Sequence, residues 1–218
     1  MPRRTRHGLF PARLPTAALR ERAGRRAPGR GAALSPRRPG RQAQTGVSVT
    51  GLYVCFSHGQ ESGPWGTKIS AMADLARDRG CEVESLDYRG LDQPGDRVAR
   101  LVEHCRPLNQ RLVLVGSSMG GHVAAAASGQ LEVAGLFLIA PAFYVPGYEA
   151  ITPTPRASRV SVVHGWRDEV VPVANSIRWS TEHRAELHVI DGDHRLTDRV
   201  FEINRLFDWL LHDLQHED

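Results

Sequence analysis

Six short apolar runs, spaced along the chain after residue 46, constrain its fold more than any other feature of the sequence. They are Leu52–Phe56, Val83–Leu86, Leu112–Val115, Leu136–Ile139, Val160–Val163 and Leu187–Ile190. Most of the runs are continuous rather than alternating with polar residues, which is typical of strands covered on both faces of a sheet. Helices cover both faces when the strands are parallel, so the runs predict a parallel sheet.

The segments between the runs carry the three-to-four-residue periodicity of amphipathic helices. One apolar stripe comprises Trp65, Ile69, Met72 and Ala76, another comprises Val98, Leu101, Val102 and Cys105, and a third comprises Val200, Ile203, Phe207, Leu210 and Leu214. Strands that alternate with helices build a parallel sheet through right-handed crossovers. The sequence therefore predicts an α/β fold, a three-layer α/β/α sandwich with about six parallel strands.

Four loops that follow predicted strands contain serine, aspartate or histidine, the residue types of acid–base and nucleophilic chemistry. They are His58–Gln60, Gly116–Gly120, His164–Asp168 and Gly192–His194. In an open parallel sheet, ligands bind at the carboxyl ends of the strands. We therefore expect the functional site where these loops meet.

The segment Gly116-Ser117-Ser118-Met119-Gly120 has the pattern G-x-S-x-G. It follows a predicted strand and precedes an alanine-rich helical segment, which is the structural context of a nucleophile elbow. In such an elbow the serine occupies a strained turn, and side chains in place of the two glycines would collide with the adjoining strand or helix. Ser118 holds the central position, beside a helix N-terminus that favours negative charge. The plainer interpretation of Ser118 is a turn serine that caps the helix.

A serine hydroxyl becomes a good nucleophile only when a base lies within hydrogen-bond reach and an acid orients that base. In folds with this elbow, the partners follow in the order serine, acid, histidine. Asp168 lies in the loop after the run 160–163, and His194 lies in the loop after the run 187–190. The sequence therefore predicts that Ser118, Asp168 and His194 meet. The plainer interpretations are a turn carboxylate for Asp168 and a solvated loop side chain for His194.

Other polar residues of these loops are alternatives for the acid and the base. Glu169 is the nearest rival acid, and Asp191 and Asp193 are further acids on the loop expected to carry the base. His58 and His164 are alternative bases. Each of these histidines belongs to a His-Gly pair directly after a strand, where an imidazole more often bonds the backbone and shapes the loop.

The assembled pattern resembles the alpha/beta-hydrolase superfamily, and within it the small bacterial esterase-like members. HGWRDEVVP at 164–172 is similar to the acid loop of the superfamily, H-G-x-x-D-x-x-V-P, and GDHRL at 192–196 is similar to its histidine loop. SHGQESGPWGTK at 57–68 resembles its His-Gly oxyanion loop. The resemblance covers residues 51–214. The chain departs from larger members because a leading antiparallel hairpin is missing and the segment 141–158 is too short for a multi-helix cap.

The resemblance implies a fold and a reaction. The fold would have six parallel strands in the order 2-1-3-4-5-6. Ser118 would attack an ester or thioester carbonyl of a small or flexible substrate, His194 would accept the proton, and Asp168 would orient the imidazole. The backbone N–H groups of Met119 and Gln60 would form the oxyanion hole. The alternatives are a non-catalytic binding or scaffold protein, or an acyltransferase or peptidase that uses the same three residues.

Aromatic and histidine side chains near these loops are candidates for lining a substrate pocket. They are His58, Phe143, Tyr144, Tyr148 and Trp166. The competing interpretation places the aromatic residues in the core, where such side chains are more often found.

The basic character of the chain is confined to its N-terminal segment. Residues 1–46 contain twelve Arg and one acidic residue, Glu21, a net charge of +11, whereas the remaining 172 residues carry a net charge of −7. The acidic body argues against a nucleic-acid-binding fold. The segment is rich in Arg, Pro and Gly and cannot bury enough apolar surface to offset its ordering entropy. We expect a disordered tail over 1–46 and a single domain over 47–218.

Several origins of the tail remain open. The chain contains 27 Arg and one Lys, Lys68, which is typical of a GC-rich genome. Translated upstream sequence would look like this tail, and the true start would then lie near Val47 or Val49. An Arg-rich transit peptide or a basic arm for nucleic acid or anionic lipid would also fit.

The cysteines and the absent motifs narrow the remaining possibilities. Cys55, Cys81 and Cys105 lie in apolar segments without C-x-x-C spacing, which predicts buried, reduced thiols and a cytoplasmic protein. The sequence contains no apolar run of about 18 residues that would span a membrane. It contains no metal-ligand pattern and no glycine-rich nucleotide loop, so we expect no metal and no cofactor. The expected partner is a small ester or thioester, and the oligomeric state is open.

Overall fold

The computed structural model describes residues 51–146 and 149–217. The predicted tail over 1–46 and the pocket candidate Tyr148 lie outside these described residues. The strands are β1 (Leu52–Ser57), β2 (Glu82–Leu86), β3 (Arg111–Ser117), β4 (Val133–Ile139), β5 (Arg159–Gly165) and β6 (Glu186–Ile190). The helices are α1 (Thr67–Asp78), α2 (Pro94–Cys105), α3 (Met119–Ser128), α4 (Val173–His183) and α5 (Val200–His216), with short 3-10 turns at Glu149–Ile151 and Thr197–Arg199.

The strands form one parallel sheet in the order β2-β1-β3-β4-β5-β6. This confirms the predicted fold class and strand order, and each predicted apolar run lies inside one strand. The pairing register brings Ser57 opposite Gly116, and Gly165 opposite Ile190. The carboxyl ends of these strands therefore lie along one edge, and the loops of interest leave the sheet there.

Side chains alternate along the strands into two separate apolar cores, one on each face of the sheet. Val54 and Phe56 belong to the core beneath α1 and α5. Tyr53 and Cys55 belong to the core beneath α2, α3 and α4. Burying one such side chain contributes about 1.5–3 kcal/mol. The two cores confirm the three-layer arrangement.

Helix α3 is buried on almost every side, including Val123, Ala124 and Ala125. Alanine is both small and the best helix former, so this segment remains helical where larger side chains would hold it away from the sheet. The composition of α3 therefore allows its first turn, which follows Ser118, to lie close to the carboxyl edge of the sheet.

The prediction for the first helix is wrong at its start. Trp65 is expected on the same face as Ile69 and Met72, but α1 begins at Thr67 and Trp65 is 46% exposed. Gly66 is extended, with φ −67° and ψ 164°, so the chain turns into the helix only after Trp65. Ile69 and Met72 are buried as predicted.

The three cysteines belong to the two apolar cores. Cys55, Cys81 and Cys105 are buried free thiols, as predicted. None of the helices within 51–146 and 149–217 is long and apolar enough to cross a membrane. Between β4 and β5, the regular structure among the described residues is limited to the turn Glu149–Ile151.

Candidate active site

Ser118 occupies a strained turn between β3 and α3. Its backbone has φ 55° and ψ −120°, a conformation that residues other than glycine rarely adopt. The surrounding chain imposes this conformation, because the Ser118 N–H donates to the Ile139 carbonyl at 2.9 Å and its carbonyl accepts the Ala142 N–H at 3.0 Å. Strain that is fixed in this way is found mostly at functional sites.

The two glycines of the G-x-S-x-G motif are required by close contacts between backbones. A Cβ atom on Gly116 would lie 2.2 Å from the Gly120 carbonyl oxygen, and one on Gly120 would lie 1.9 Å from the Ser57 carbonyl oxygen. Any larger residue would force the elbow away from β1 or from its own strand. These contacts confirm the steric reason that the sequence gives for the motif.

The side chain of Ser118 points to His194 and does not cap α3. Its Oγ lies 3.0 Å from His194 Nε2, and it makes no capping hydrogen bond. The interpretation of Ser118 as a helix-capping serine is therefore wrong.

Asp168 holds the other ring nitrogen of His194. His194 Nδ1 lies 2.7 Å from Asp168 Oδ2, while Oδ1 accepts the N–H groups of Val170 at 2.9 Å and Val171 at 2.8 Å. The carboxylate is fully buried, whereas the His194 side chain is 18% exposed. Burial alone would raise the pKa of Asp168, but the hydrogen bonds that it accepts outweigh burial and hold its pKa well below the ordinary value.

The rival acids have other partners or face solvent. Glu169 is exposed. Asp191 pairs with Arg167 at 3.0 Å and is 68% exposed. Asp193 Oδ1 accepts the backbone N–H groups of its own loop, those of Arg195 at 2.9 Å and Leu196 at 2.8 Å. Among the described residues, the carboxylate that contacts His194 is that of Asp168, and none of the three rival acids does so.

The acid loop and the histidine loop are joined through their backbones. The N–H of Trp166 donates to the Ile190 carbonyl, and that of Arg167 donates to the Gly192 carbonyl, both at 2.9 Å. A Cβ atom on Gly165 would lie 2.4 Å from the Gly192 carbonyl oxygen, so this approach also requires glycine. The distance between the acid and the base is therefore set by main-chain contacts.

His164 contacts the same carboxylate from inside the protein. Its Nε2 lies 3.0 Å from Asp168 Oδ2 and 2.9 Å from the Val171 carbonyl oxygen, and its Nδ1 lies 2.7 Å from Ser176 Oγ. Both contacts of Nε2 are hydrogen-bond acceptors, so Nε2 carries a proton, and Nδ1 shares a hydrogen bond with the Ser176 hydroxyl. His164 is fully buried and does not contact Ser118, so it is not the base.

His58 fixes the loop that precedes the predicted oxyanion donor Gln60. Its Nδ1 donates to the Gly59 carbonyl at 2.6 Å, and its Nε2 accepts the Tyr88 N–H at 2.9 Å. In a planar trans peptide, the carbonyl and the next N–H point in opposite directions, so the Gln60 N–H is directed away from His58. A Cβ atom on Gly59 would lie 3.5 Å from the Ser118 Cβ, which places this peptide against the elbow.

The second predicted oxyanion donor, Met119, is the first residue of α3. Its N–H belongs to the helix N-terminus, where backbone donors have no partner within the helix and the helix dipole favours negative charge. Within the part of the chain that the structure describes, neither the Gln60 N–H nor the Met119 N–H donates to another protein group. Both remain available to an oxyanion.

The structure corrects two of the pocket candidates. His58 and Phe143 have no exposed surface, so neither lines an open pocket. Burial lowers the pKa of His58, and both of its ring nitrogens bond the backbone. Phe143 stacks on Trp179 with ring centroids 4.4 Å apart, because its position after β4 turns it into the core beneath α4.

The two remaining candidates among the described residues, Tyr144 and Trp166, keep some exposed surface. Tyr144 is partly buried, but its hydroxyl lies 2.5 Å from Glu182 and the Arg178 guanidinium lies 3.9 Å from its ring centroid. Burial first, and then Glu182, raise the pKa of Tyr144 to about 12. Trp166 is 59% exposed on the acid loop and remains a predicted pocket residue.

Two contacts at the site were not predicted from the sequence, that of His164 with Asp168 and that of Lys68 with the histidine loop. The contact between His164 and Asp168 had one signal, their four-residue spacing in HGWRD. Lys68, which donates to the carbonyl of Arg195 in the histidine loop, had a different signal as the one lysine of the chain. Among the described residues, no group of three His, Cys, Asp or Glu side chains is arranged to hold a metal ion.

Residues 54–214 match the model of a family described as the alpha/beta hydrolase family. A search of curated proteins finds no match. The family match spans the elbow, the acid loop and the histidine loop.

Solved structures with the same fold include two from Xanthomonas campestris. One, placed in the alpha/beta hydrolase superfamily, is 33% identical with a TM-score of 0.67, and the match covers 75% of this chain and 99% of that chain. The other, an α/β serine hydrolase without a lid, is 19% identical with a TM-score of 0.61, covering 77% and 84%. Est1E from Butyrivibrio proteoclasticus is 16% identical with a TM-score of 0.65, covering 77% and 89%. The last two are similar in fold alone.

Proposed function

The chain belongs to the alpha/beta hydrolase family, and on this premise we propose that it is a serine hydrolase that cleaves carboxylic esters or thioesters through an acyl-enzyme on Ser118. The observation that carries the proposal is the continuous hydrogen-bond chain from Ser118 Oγ through His194 to Asp168, with contacts of 3.0 and 2.7 Å. This chain supplies a nucleophile, a base in contact with it, and a buried acid that orients the base.

The tautomer of His194 follows from its partners. The Asp168 carboxylate is an acceptor, so Nδ1 carries the proton and Nε2 is free to accept the proton of Ser118. As the Ser118 oxygen attacks the substrate carbonyl carbon, its proton passes to Nε2 and the carbonyl oxygen becomes negatively charged. Asp168 remains ionised, because its hydrogen bonds keep its pKa low, and it stabilises the imidazolium.

Two backbone donors would stabilise the negative oxygen of this intermediate. Among the described residues, the N–H groups of Gln60 and Met119 have no protein acceptor. Met119 directly follows Ser118, and Gln60 follows Gly59, whose Cβ position lies 3.5 Å from the Ser118 Cβ. One donor of this kind is worth about 3–4 kcal/mol in the barrier. Collapse of the intermediate breaks the C–O or C–S bond of the substrate, and His194 returns its proton to the leaving alcohol or thiol. Water then attacks the acyl group and gives a proton to His194. The bond between the acyl carbon and Ser118 Oγ breaks, His194 returns the proton to Ser118 Oγ, and the carboxylic acid leaves.

The short connection between β4 and β5 supports small or flexible substrates. Its described residues contain one 3-10 turn, Glu149–Ile151, and no helix of greater length that could act as a cap. We also infer that residues 47–218 form the catalytic domain and that the protein works in a reducing, cytoplasmic compartment, for which the buried free thiols are the support.

The test compares Ser118→Ala with Ser117→Ala, a matched control in the same turn. Activated short-chain esters and thioesters of graded length serve as substrates. We expect Ser118→Ala to lower kcat by on the order of 10⁴-fold or more, with Ser117→Ala close to wild type. A fluorophosphonate probe should label wild type at Ser118. Equal rates for Ser118→Ala and wild type would refute the proposal, and folded protein that resists the probe would favour a binding role.

A further inference from the structure

Lys68 is the one lysine in a chain that otherwise uses 27 arginines for its basic side chains. It lies in the first turn of α1, where the oxyanion loop ends, and is partly buried. Its Nζ donates a hydrogen bond to the backbone carbonyl of Arg195, 127 residues further along the chain. Arg195 directly follows His194, so this ammonium group reaches the loop of the proposed base.

The histidine loop is otherwise held from within. Asp193 Oδ1 accepts the N–H groups of Arg195 and Leu196, and the backbone of Leu196 has φ 52°. The Leu196 side chain is fully buried beneath the loop. Lys68 adds a contact from a different element, the helix that continues the oxyanion loop. It therefore joins the loop of the base to the loop that offers Gln60.

The fold has local reasons to avoid a cation at this position. A positive charge in the first turn of a helix opposes the helix dipole and so lowers stability. Helix α1 has no acidic residue in its first turn to offset this charge. Burial also lowers the pKa of Lys68 to about 8, which shows that its charged form is disfavoured there despite Asp193 and Asp168 nearby. A residue that costs stability in this way is expected to serve the site.

We propose that Lys68 is a positioning residue that holds the histidine loop against the oxyanion loop, so that His194 stays within reach of Ser118. The inference rests on the proposed function, because it assigns to Lys68 the placement of the proposed base. Lysine suits the position since its ammonium is compact and carries three rotatable donors on a slender stem, whereas the guanidinium of arginine is wide and planar.

The first arm of the test compares Lys68→Met, Lys68→Arg and Arg77→Met. Arg77 lies in the same helix, pairs with Asp74 and covers the Trp65 ring at 5.4 Å, and among the described residues it has no contact with the histidine loop, so its variant is the matched control. A misplacement of about 1 Å can cost a hundredfold in rate. We therefore expect Lys68→Met to lower kcat/KM by about 10- to 100-fold, with KM little changed and Arg77→Met unaffected. The Ser118→Ala variant, measured alongside, tests the proposed function separately.

The second arm is a pH profile, which a merely structural role would not move. The charged groups that face Lys68 are Asp193 and Asp168, which favour its ammonium form, and Arg195, which opposes it. The wild type should lose activity as Lys68 loses its proton near pH 8. Lys68→Arg keeps its charge at every accessible pH, so its activity should be lower but free of this step. An identical alkaline profile in wild type and Lys68→Arg would overturn the proposal.

The third arm does not depend on activity. Hydrogen exchange of residues 191–196 reports on the amides of Arg195 and Leu196, which donate to Asp193. Exchange of this segment should be faster in Lys68→Met than in wild type, Arg77→Met or Ser118→Ala. If Ser118→Ala is inactive while Lys68→Met matches wild type in rate and exchange, the function stands and the inference about Lys68 is wrong. If Ser118→Ala is fully active, the function is wrong, and exchange alone decides whether Lys68 holds the loop.

Discussion

The Nε2 atom of His164 lies 3.0 Å from Oδ2 of Asp168, the same carboxylate oxygen that contacts His194. Two histidines therefore share one buried oxygen, and only His194 reaches Ser118. With two backbone N–H groups on its other oxygen, Asp168 has no freedom to rotate away from the base. The Asp168 carboxylate is therefore oriented by His164 and two backbone N–H groups as well as by His194.

Replacing His164 should loosen this acid. A hydrogen bond to a charged group is worth about 1.5–3 kcal/mol, so His164→Leu should lower the free energy of unfolding by about 2 kcal/mol. It should also lower kcat/KM, while His164→Gln, which keeps an N–H donor, should recover part of both losses. Urea denaturation and ester hydrolysis measure the two effects. A leucine variant as stable and as active as wild type would show that the contact has no role.

The pH dependence of stability should reveal the buried carboxylate. Hydrogen bonds lower the pKa of Asp168 in the folded protein below its ordinary value of 3.8. Its stabilising contribution is therefore complete above about pH 4 and is lost as the pH falls through the folded value. Asp168→Asn cannot titrate, so it should be less stable than wild type at pH 7 and should lose less stability on acidification. Thermal unfolding from pH 7 to pH 2.5 tests this, and parallel curves for the two proteins would contradict it.

The conformation of the oxyanion loop should be sensitive to substitution of His58, which takes no direct part in the proposed reaction. The Gly59 carbonyl accepts from His58 Nδ1 at 2.6 Å and, at 3.4 and 3.5 Å, from Ser62 Oγ and an Arg97 N–H. His58→Leu removes the shortest of these bonds and so loosens the peptide that carries the Gln60 N–H. Because one oxyanion donor is worth about 3–4 kcal/mol, the loss in kcat should reach at most about 10²- to 10³-fold, with a smaller change in KM. His58→Asn, which restores an N–H near the position of Nδ1, should recover part of kcat. Equal losses in the two variants would point to a general packing defect.

The elbow glycine should tolerate no side chain. In Gly120→Ala the new Cβ atom would lie 1.9 Å from the Ser57 carbonyl oxygen, so α3 must move away from β1. We expect loss of activity and a lower melting temperature. Gly95→Ala is the matched control, because nothing lies within 4 Å of its Cβ position in α2. This control should keep full activity and gain up to about 1 kcal/mol of stability, and a normal melting temperature for Gly120→Ala would refute the steric argument.

The sheet could be predicted from sequence because a parallel strand buried on both faces must be apolar at every position. The runs around Val54, Leu114 and Leu138 satisfy this condition and contain fully buried residues. The meeting of Ser118, Asp168 and His194 could also be predicted, since strand ends in such a sheet share one edge. Trp65 could not be placed, because a tryptophan next to a helical stripe has the same pattern whether or not the helix has begun.

Contacts within the site were harder to predict than the position of the site. Phe143 was a pocket candidate, but its stacking on Trp179 depends on how α4 packs, which no local pattern shows. His164 has the same His-Gly context as His58, yet His164 lies 3.0 Å from the buried carboxylate of Asp168, whereas the hydrogen bonds of the His58 ring are to the backbone and the nearest carboxylate, Asp87, is 3.9 Å away. Lys68 reaches across 127 residues to Arg195, and composition alone marked it as unusual.

The backbone contacts between the acid loop and the histidine loop have a consequence for protein engineering. Asp168 and His194 come from one continuous stretch, residues 164–194, whose ends are joined by the Trp166–Ile190 and Arg167–Gly192 hydrogen bonds. The nucleophile comes from an earlier part of the chain. We therefore expect that the proposed acid and base can be transferred between chains of this fold as one piece, with the junction in the connection between β4 and β5 and the elbow left intact.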